Sequence, residues 1–401
     1  MRTTWNFYTA SQLVFGCGAV KRLGRLAARR GLKRVLVVTD TLIAAAGLVD
    51  RVVGPLEEAG ITAVVFDGGE PEPSLAAAGR ATEHARQARP DAICGLGGGS
   101  NMDLAKMTSV LYSHAGEPSE YFGFDQVPGP VTPLVCIPTT AGTGSEVSAA
   151  AVLTDTQNQI KVSTLSNYLR PALAVVDPEL TLTCPRKATA DSGIDALTHA
   201  IEGYTAVDYR ELDVPPDEEA AYDGSHPLGQ CLAEKAIGLI GRHLVRAVEQ
   251  PDCLEAREGM ALAATIAGMA FSNCGVALVH ALEYPLGGAL HCSHGAGNGL
   301  LLPYVMRYNL PLRARDFARV AALLGEDVEG LDEESAAQRA VAAVESLKRK
   351  IGIPARLGEL GCTEDQLPGF AAKAFAIKRL MSMNPRRPTE MDLLGILQAA
   401  L

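Results

Sequence analysis

The stretch DAICGLGGGSNMDLAKMTSVLY, residues 91–112, decides how the first half of this chain is read. A short apolar run passes into Gly97, Gly98 and Gly99, and Ser100 then opens a segment with helical patterning. Glycines at such a turn permit positive φ and let a phosphate approach the backbone. The helix that follows offers free N–H groups and a favourable dipole to an anion. Ser100 can cap that helix or bond a phosphate oxygen. The alternative is a tight strand-to-helix turn without a ligand.

The same alternation extends on both sides. RVLVVTD (34–40) reads as a strand, followed by a helical pattern to about residue 59. ITAVVFDGG (61–69) reads as a second strand and residues 74–89 as a helix. PLVCIPTT (133–140) and ALAVVDPEL (172–180) supply further strands. Strand alternating with helix implies βαβ units and a parallel sheet. Past about residue 183 the patterning turns helical. The expected organisation is an α/β dinucleotide-binding domain over 1–183 and an all-α domain over 184–401. Within the second half, VDYRELDVPPDEEAAYDGSHP (207–227) is acidic, carries prolines and lacks apolar period, so an exposed loop is expected.

Composition restricts the partners. The chain has 401 residues, 47% apolar and 20% charged, with a formal net charge of −10. That profile fits a soluble globular protein with a large core. The acidic balance argues against nucleic acid or an anionic membrane surface. MRTTWNFYTA has no apolar h-region, so no secretory signal is expected, and no apolar run is long enough to span a bilayer. The 9 cysteines are scattered without a CxxC pair, which fits reduced thiols in a cytoplasmic protein.

Two clusters extend the ligand reading. Asp40 ends a strand, where a carboxylate can bond both ribose hydroxyls and repel a 2′-phosphate. This points to NAD, with NADP disfavoured. Its alternative is the N-cap of the following helix. The acid precedes the glycine turn in sequence, opposite to the usual dinucleotide fingerprint. In IPTTAGTGSEVS (137–148), Thr139, Thr140, Thr143 and Ser145 could each reach a phosphate, ribose or carboxamide.

In the helical half, DSGIDALTHAIEGY (191–204) puts Asp195 and His199 four residues apart, hence on one helix face, among apolar neighbours. A buried carboxylate needs compensation. His280, in GVALVHALEYPLGG, and His294, in HCSHGAGNG, also fall in apolar or glycine-rich surroundings, with His291 a rival to His294. One carboxylate and three imidazoles suit Zn²⁺ or Fe²⁺. His84, His114, His226 and His243 read as surface or loop residues.

Taken together, GGGSNMDLAK (97–106), PTTAGTGSEVS (138–148), DALTHAIE (195–202), HALEYPLGG (280–288) and HGAGNGLLLPYVMRYN (294–309) resemble the iron-containing (group III) alcohol dehydrogenase family over nearly the whole chain. The resemblance implies that family's dehydroquinate synthase-like architecture, with a cleft between an α/β and a helical domain. It implies metal ligands Asp195, His199, His280 and His294, the last chosen over His291 by the family's HGxxN pattern. It implies cofactor contacts at Asp40, Gly97, Gly98, Gly99, Ser100, Asp103, Thr139, Thr140, Thr143, Ser145 and Lys161. Read from its neighbours alone, Lys161 is an exposed strand lysine.

One departure stands out. Many members carry a second His four residues after the third ligand, where this chain has Tyr284. There the Tyr284 hydroxyl can replace the His in a proton relay or simply pack, and the proton would leave by water, through Tyr284 or through His291. HALEYPLGG and AYDGSHPLGQ (221–230) look closer to the branch containing hydroxyacid–oxoacid transhydrogenase than to lactaldehyde reductase. The expected activity is hydride transfer between NAD(H) and a small alcohol, aldehyde or hydroxyacid. The alternatives are a transhydrogenase with retained NAD and a dehydroquinate synthase-like lyase. Residues 6–16, NFYTASQLVFG, read as an edge strand pair able to mate across a homodimer or larger homo-oligomer.

Overall fold

The computed structural model describes residues 2–158, 160–215 and 218–401. They form two compact units. One runs from Tyr8 to Cys184; the other comprises Pro185–Leu401 together with the N-terminal Met1–Phe7 segment.

The first unit is built on nine strands: β1 (Leu13–Phe15), β2 (Arg34–Val38), β3 (Thr62–Phe66), β4 (Ala92–Gly97), β5 (Gly123–Phe124), β6 (Leu134–Pro138), β7 (Ala150–Asp155), β8 (Ile160–Leu165) and β9 (Leu173–Val176). Six of them make one sheet in the order β1-β9-β6-β4-β2-β3, every pair parallel. Helices cover both faces. Val35, Val37, Cys94 and Leu96 pack into one core with Leu48, Val52 and Leu56. Their neighbours Leu36, Val38 and Ile93 pack into another with Ala77, Ala81, Leu104 and Met107. Two buried faces explain why these strands read as unbroken apolar runs rather than alternating ones.

The chain reverses direction across the sheet after β3, so β2 and β4 flank a topological switch point. Ligands in such sheets bind at the carboxyl ends of the strands bordering that point. Asp40 follows β2 and the glycine turn ends β4. A second sheet, β5-β8-β7, includes the antiparallel β7–β8 pair; of its strands, sequence patterning reads only the one around Lys161.

The second unit is helical: Arg186–Thr205, Pro227–Glu249, Leu254–Cys274, Leu278–Leu290, His294–Leu323 and Glu333–Ile351, followed by shorter helices to Ala400. Among the described residues no single helix is long and apolar enough to cross a membrane.

Four expectations need correction. Residues 6–16 contain one short strand, β1, at the sheet edge rather than a strand pair. The helical pattern after β2 is broken by Gly47, at φ 73°, into Thr41–Ala45 and Leu48–Glu58. The 207–227 segment is not simply an exposed loop. Val207, Tyr209, Tyr222, Asp223, Ser225 and His226 are buried, and Ser225 N–H donates to Val207 O. His226 is no surface residue either: at 1% exposure it stacks on Trp5, with ring centroids 4.2 Å apart. Its Nδ1 caps the Pro227–Glu249 helix by accepting from Gly229 N–H. That stack, with the Arg2–Asp223 ion pair, ties the N-terminal residues to the helical unit.

Candidate metal and cofactor sites

In the helical unit, three chain segments deliver the metal-ligand candidates. Asp195 and His199 lie on the Arg186–Thr205 helix, His280 in the first turn of Leu278–Leu290, and His294 at the start of His294–Leu323. Asp195, His199 and His280 are buried. One ligating atom from each of Asp195, His280 and His294 falls within 4.8 Å of the others. His199 stands beside this triangle. Its Nδ1 is 3.8 Å from Asp195 Oδ2. Its ring stacks on His280 at 4.8 Å and on Phe271 at 4.1 Å. His291 is exposed, in the left-handed C-cap of the Leu278–Leu290 helix.

Glycines explain how the helices come so close. A Cβ on Gly295 would lie 2.0 Å from Asp191 O, and one on Gly299 would lie 2.7 Å from Ile194. Both face the helix that carries Asp195. A Cβ on Gly297 would lie 2.9 Å from Glu283 on the third segment. The glycines of HGAGNG therefore serve helix contact, beyond the turn expected from sequence.

Two buried carboxylates orient the imidazoles. His280 Nδ1 is 2.6 Å from Glu202 Oε2, and His294 Nδ1 is 2.5 Å from Glu283 Oε2. A carboxylate only accepts, so each Nδ1 is the donor and each Nε2 lone pair is turned to the other side. Glu202 does a second job. Its Oε1 accepts from Val279 N–H at 2.7 Å, placing negative charge at the N-terminus of the helix that carries His280.

Asn298 occupies the meeting point. Its Nδ2 donates to Asp195 Oδ1 at 2.8 Å, and lies 3.2 Å from His280 Nε2 and 3.1 Å from His294 Nε2. An amide has two N–H bonds, whereas three acceptors converge on it. The acceptors outnumber the N–H bonds that Asn298 supplies, and one divalent cation would satisfy them. Burial alone would raise the Asp195 carboxyl pKa; positive charge where the imidazoles of His199, His294 and His280 converge, together with the Asn298 amide, holds it below the usual range. The residues present fit a cation with mixed nitrogen and oxygen ligands.

Glu202, Glu283 and Asn298 were not singled out from sequence. The signal for the two glutamates is a Glu three residues after the His in both THAIE and HALE, within apolar runs, and Asn298 is the last residue of the HGxxN pattern. Glu283→Gln should lower metal affinity about 10- to 100-fold, the usual cost of losing such a partner; metal titration of the stripped protein measures it. Glu202 is the poorer choice, because its loss also uncaps a helix.

Tyr284 is buried, its ring centroid 6.2 Å from that of His294. Its hydroxyl accepts from Arg379, which also donates to the Tyr222 hydroxyl.

In the α/β unit, the helix Gly99–His114 has Gly98 as its N-cap and no side-chain cap, so its first N–H groups stay open to an anion. Ser100 is not the cap: its hydroxyl accepts from Glu72 N–H at 3.3 Å. The 139–145 loop lies on the glycine turn, with Gly99 so close that a Cβ would meet Thr143 at 2.6 Å and Gly98 next to Thr140. Thr139 is buried with no hydrogen bond to Oγ1.

Asp40 is an N-cap, its Oδ1 accepting from Leu42 and Ile43 N–H groups. Asp103 has a tethering role. Its oxygens accept from Ser145 Oγ at 2.6 Å and Val152 N–H at 3.0 Å, while the fully buried Lys106 donates to Ser145 Oγ and to Ser148 and Ala150 carbonyls. Together they fix the 139–145 loop. Lys161 is buried rather than exposed, 3.0 Å from Glu72.

Residues 10–178 match the iron-containing alcohol dehydrogenase profile and residues 219–401 the C-terminal profile of the Fe-containing alcohol dehydrogenase family. The chain is 36% identical to the NAD-dependent methanol dehydrogenase of Bacillus methanolicus over 396 residues, covering 99% of this chain and 100% of that one. The chain belongs to the iron-containing alcohol dehydrogenase family. Another member, the 1,3-propanediol dehydrogenase of Klebsiella pneumoniae, is 37% identical with 96% of each chain covered. A crystal structure of a 1,3-propanediol oxidoreductase superposes with a TM-score of 0.93 at 36% identity, covering 100% of both chains. As a member of this family the chain is a metal-dependent oxidoreductase of alcohols and aldehydes.

Proposed function

We propose that this family member exchanges hydride between NAD(H) and small primary alcohols or diols and their aldehydes, with Asp195, His199, His280 and His294 holding one Fe²⁺. The convergence of three acceptors on the Asn298 amide carries the metal part of this reading. Family membership supports iron as that cation. The relatives that act on methanol and 1,3-propanediol suggest the substrate class.

A bound dication there supplies Lewis acidity toward a hydroxyl or carbonyl oxygen. Glu202 and Glu283 keep the His280 and His294 rings fixed with Nε2 forward, so the ligands need little rearrangement. Tyr284, whose ring lies 6.2 Å from that of His294, offers a hydroxyl for carrying a proton. In the α/β unit, the open helix end at Gly98 and Gly99 takes the cofactor phosphates and Ser100 adds a hydroxyl. Asp40 receives the adenosine ribose, and Thr139, Thr140 and Thr143 line the cofactor's path, with Ser145 fixing their loop and Lys161 adding a cation.

The test uses enzyme stripped with a chelator and reloaded anaerobically with Fe²⁺ or Zn²⁺. NADH formation is followed at its absorbance across an alcohol series. Activity should vanish on stripping and return with Fe²⁺ on short primary alcohols. Full activity in the stripped enzyme would overturn the metal reading. Exchange between a hydroxyacid and an oxoacid without added cofactor would instead make the chain a transhydrogenase.

A further inference from the structure

Asn101 sits two residues beyond the glycine turn and is 1% exposed. Its Nδ2 donates to Asp40 Oδ2 at 2.6 Å and to Leu96 O at 3.2 Å. Both partners accept only, which fixes the orientation of the amide. The surrounding loops make room for it. A Cβ on Gly97 would lie 2.2 Å from Asn101 Nδ2, and one on Gly69 would lie 2.4 Å from Oδ1. The side chain therefore fills the space enclosed by the loops after β2, β3 and β4. Its Oδ1 is buried without a hydrogen-bond partner. An aliphatic side chain would fill the same volume without that desolvation penalty, so packing alone does not account for an amide here.

What the amide adds is a fixed donor to Asp40. An ionised carboxylate has about four acceptor positions. Two on Asp40 Oδ1 are taken by Leu42 and Ile43 N–H groups, and one on Oδ2 by Asn101. One acceptor direction remains, so Asp40 can hold one ribose hydroxyl there rather than two.

We propose that Asn101 is a positioning residue for cofactor selection: by pinning Asp40 Oδ2 it aims the remaining acceptor at a single ribose hydroxyl and stops the carboxylate swinging aside to admit a 2′-phosphate. This rests on the reading of Asp40 as the ribose acceptor. Asn101 touches no cofactor atom in this scheme; it acts through Asp40.

The experiment measures Kd for NADH and for NADPH by fluorescence titration, so it does not depend on metal loading or turnover. Wild type, Asn101→Leu, Asp40→Gly and the double variant are compared, with Asn101→Ala replacing Asn101→Leu if the branched side chain prevents folding. Asn101→Leu should lower the NADPH-to-NADH Kd ratio about tenfold, the effect of one charge-assisted hydrogen bond. Asp40→Gly should lower it further, and the double variant should match Asp40→Gly alone. An unchanged ratio in Asn101→Leu beside a collapsed one in Asp40→Gly would overturn the proposal and leave the Asp40 reading standing. An unchanged ratio in Asp40→Gly would remove that reading and the proposal with it. A shift of equal size on the Asp40→Gly background would mean that Asn101 acts independently of Asp40, which also overturns it.

Discussion

Asp195→Ala lowers kcat/KM by about 10³-fold or more, takes metal binding with it, and leaves the NADH affinity close to wild type. The magnitude follows from the several kcal/mol that a Lewis-acidic ion contributes to such a reaction, at about 1.4 kcal/mol per factor of ten. Asp195 is the one anionic member of the ligand group and is 1% exposed, so water cannot take over its charge. The fold should survive the change, because the Asn298 amide keeps His280 and His294 as neighbours. NADH binding should persist because every residue assigned to the cofactor belongs to the Tyr8–Cys184 unit. Metal analysis, NADH titration and an initial-rate assay on one preparation separate these effects. Turnover at the wild-type rate with no ion bound would end the reading of this cluster as the reacting centre.

The gathering of Asp195, His199, His280 and His294 was legible in the sequence because a carboxylate and imidazoles in apolar helices are expensive unless something compensates them. Their supports were not. A Glu three residues after a His marks Glu202 locally, but it bonds groups 77 and 78 residues away, and the pattern does not say which His it serves. His226 shows the same blindness in reverse. Its own neighbours are polar and turn-forming, while its burial comes from Trp5, brought over it by the fold. The main sheet was readable because both faces are buried, which leaves long apolar runs. Strands β7 and β8 belong to a small separate sheet, with several half-buried positions, so their pattern is weaker. The glycine turn and the hydroxyl-rich loop packed on it were legible in the sequence, but their tethers were not. Asp103 and Lys106 sit inside a motif that invites a ligand role, yet both turn to the 145–152 loop.

Gly295→Ala should destabilise the protein by about 3 kcal/mol, at the upper end of the usual cost of overpacking a core. The new methyl would lie 2.0 Å from Asp191 O and 3.1 Å from the Asp195 Cβ. Backbone cannot rotate away as a flexible side chain can, so the two helices must separate. Separation also draws His294 and Asn298 away from Asp195, because Gly295 adjoins His294 and lies on the same helix as Asn298. The substitution should therefore lower metal affinity as well as the melting temperature, by about 2–4 °C per kcal/mol for a unit of this size. Gly395→Ala supplies the comparison. Gly395 lies inside the Glu390–Ala400 helix of the same unit, and a Cβ there meets nothing within 4 Å. Alanine at an unobstructed helical glycine should stabilise by about 0.5–1 kcal/mol. Parallel thermal melts and metal titrations decide the point. If Gly295→Ala melts like Gly395→Ala and binds metal as the wild type does, close approach of these helices is not what assembles the ligand group.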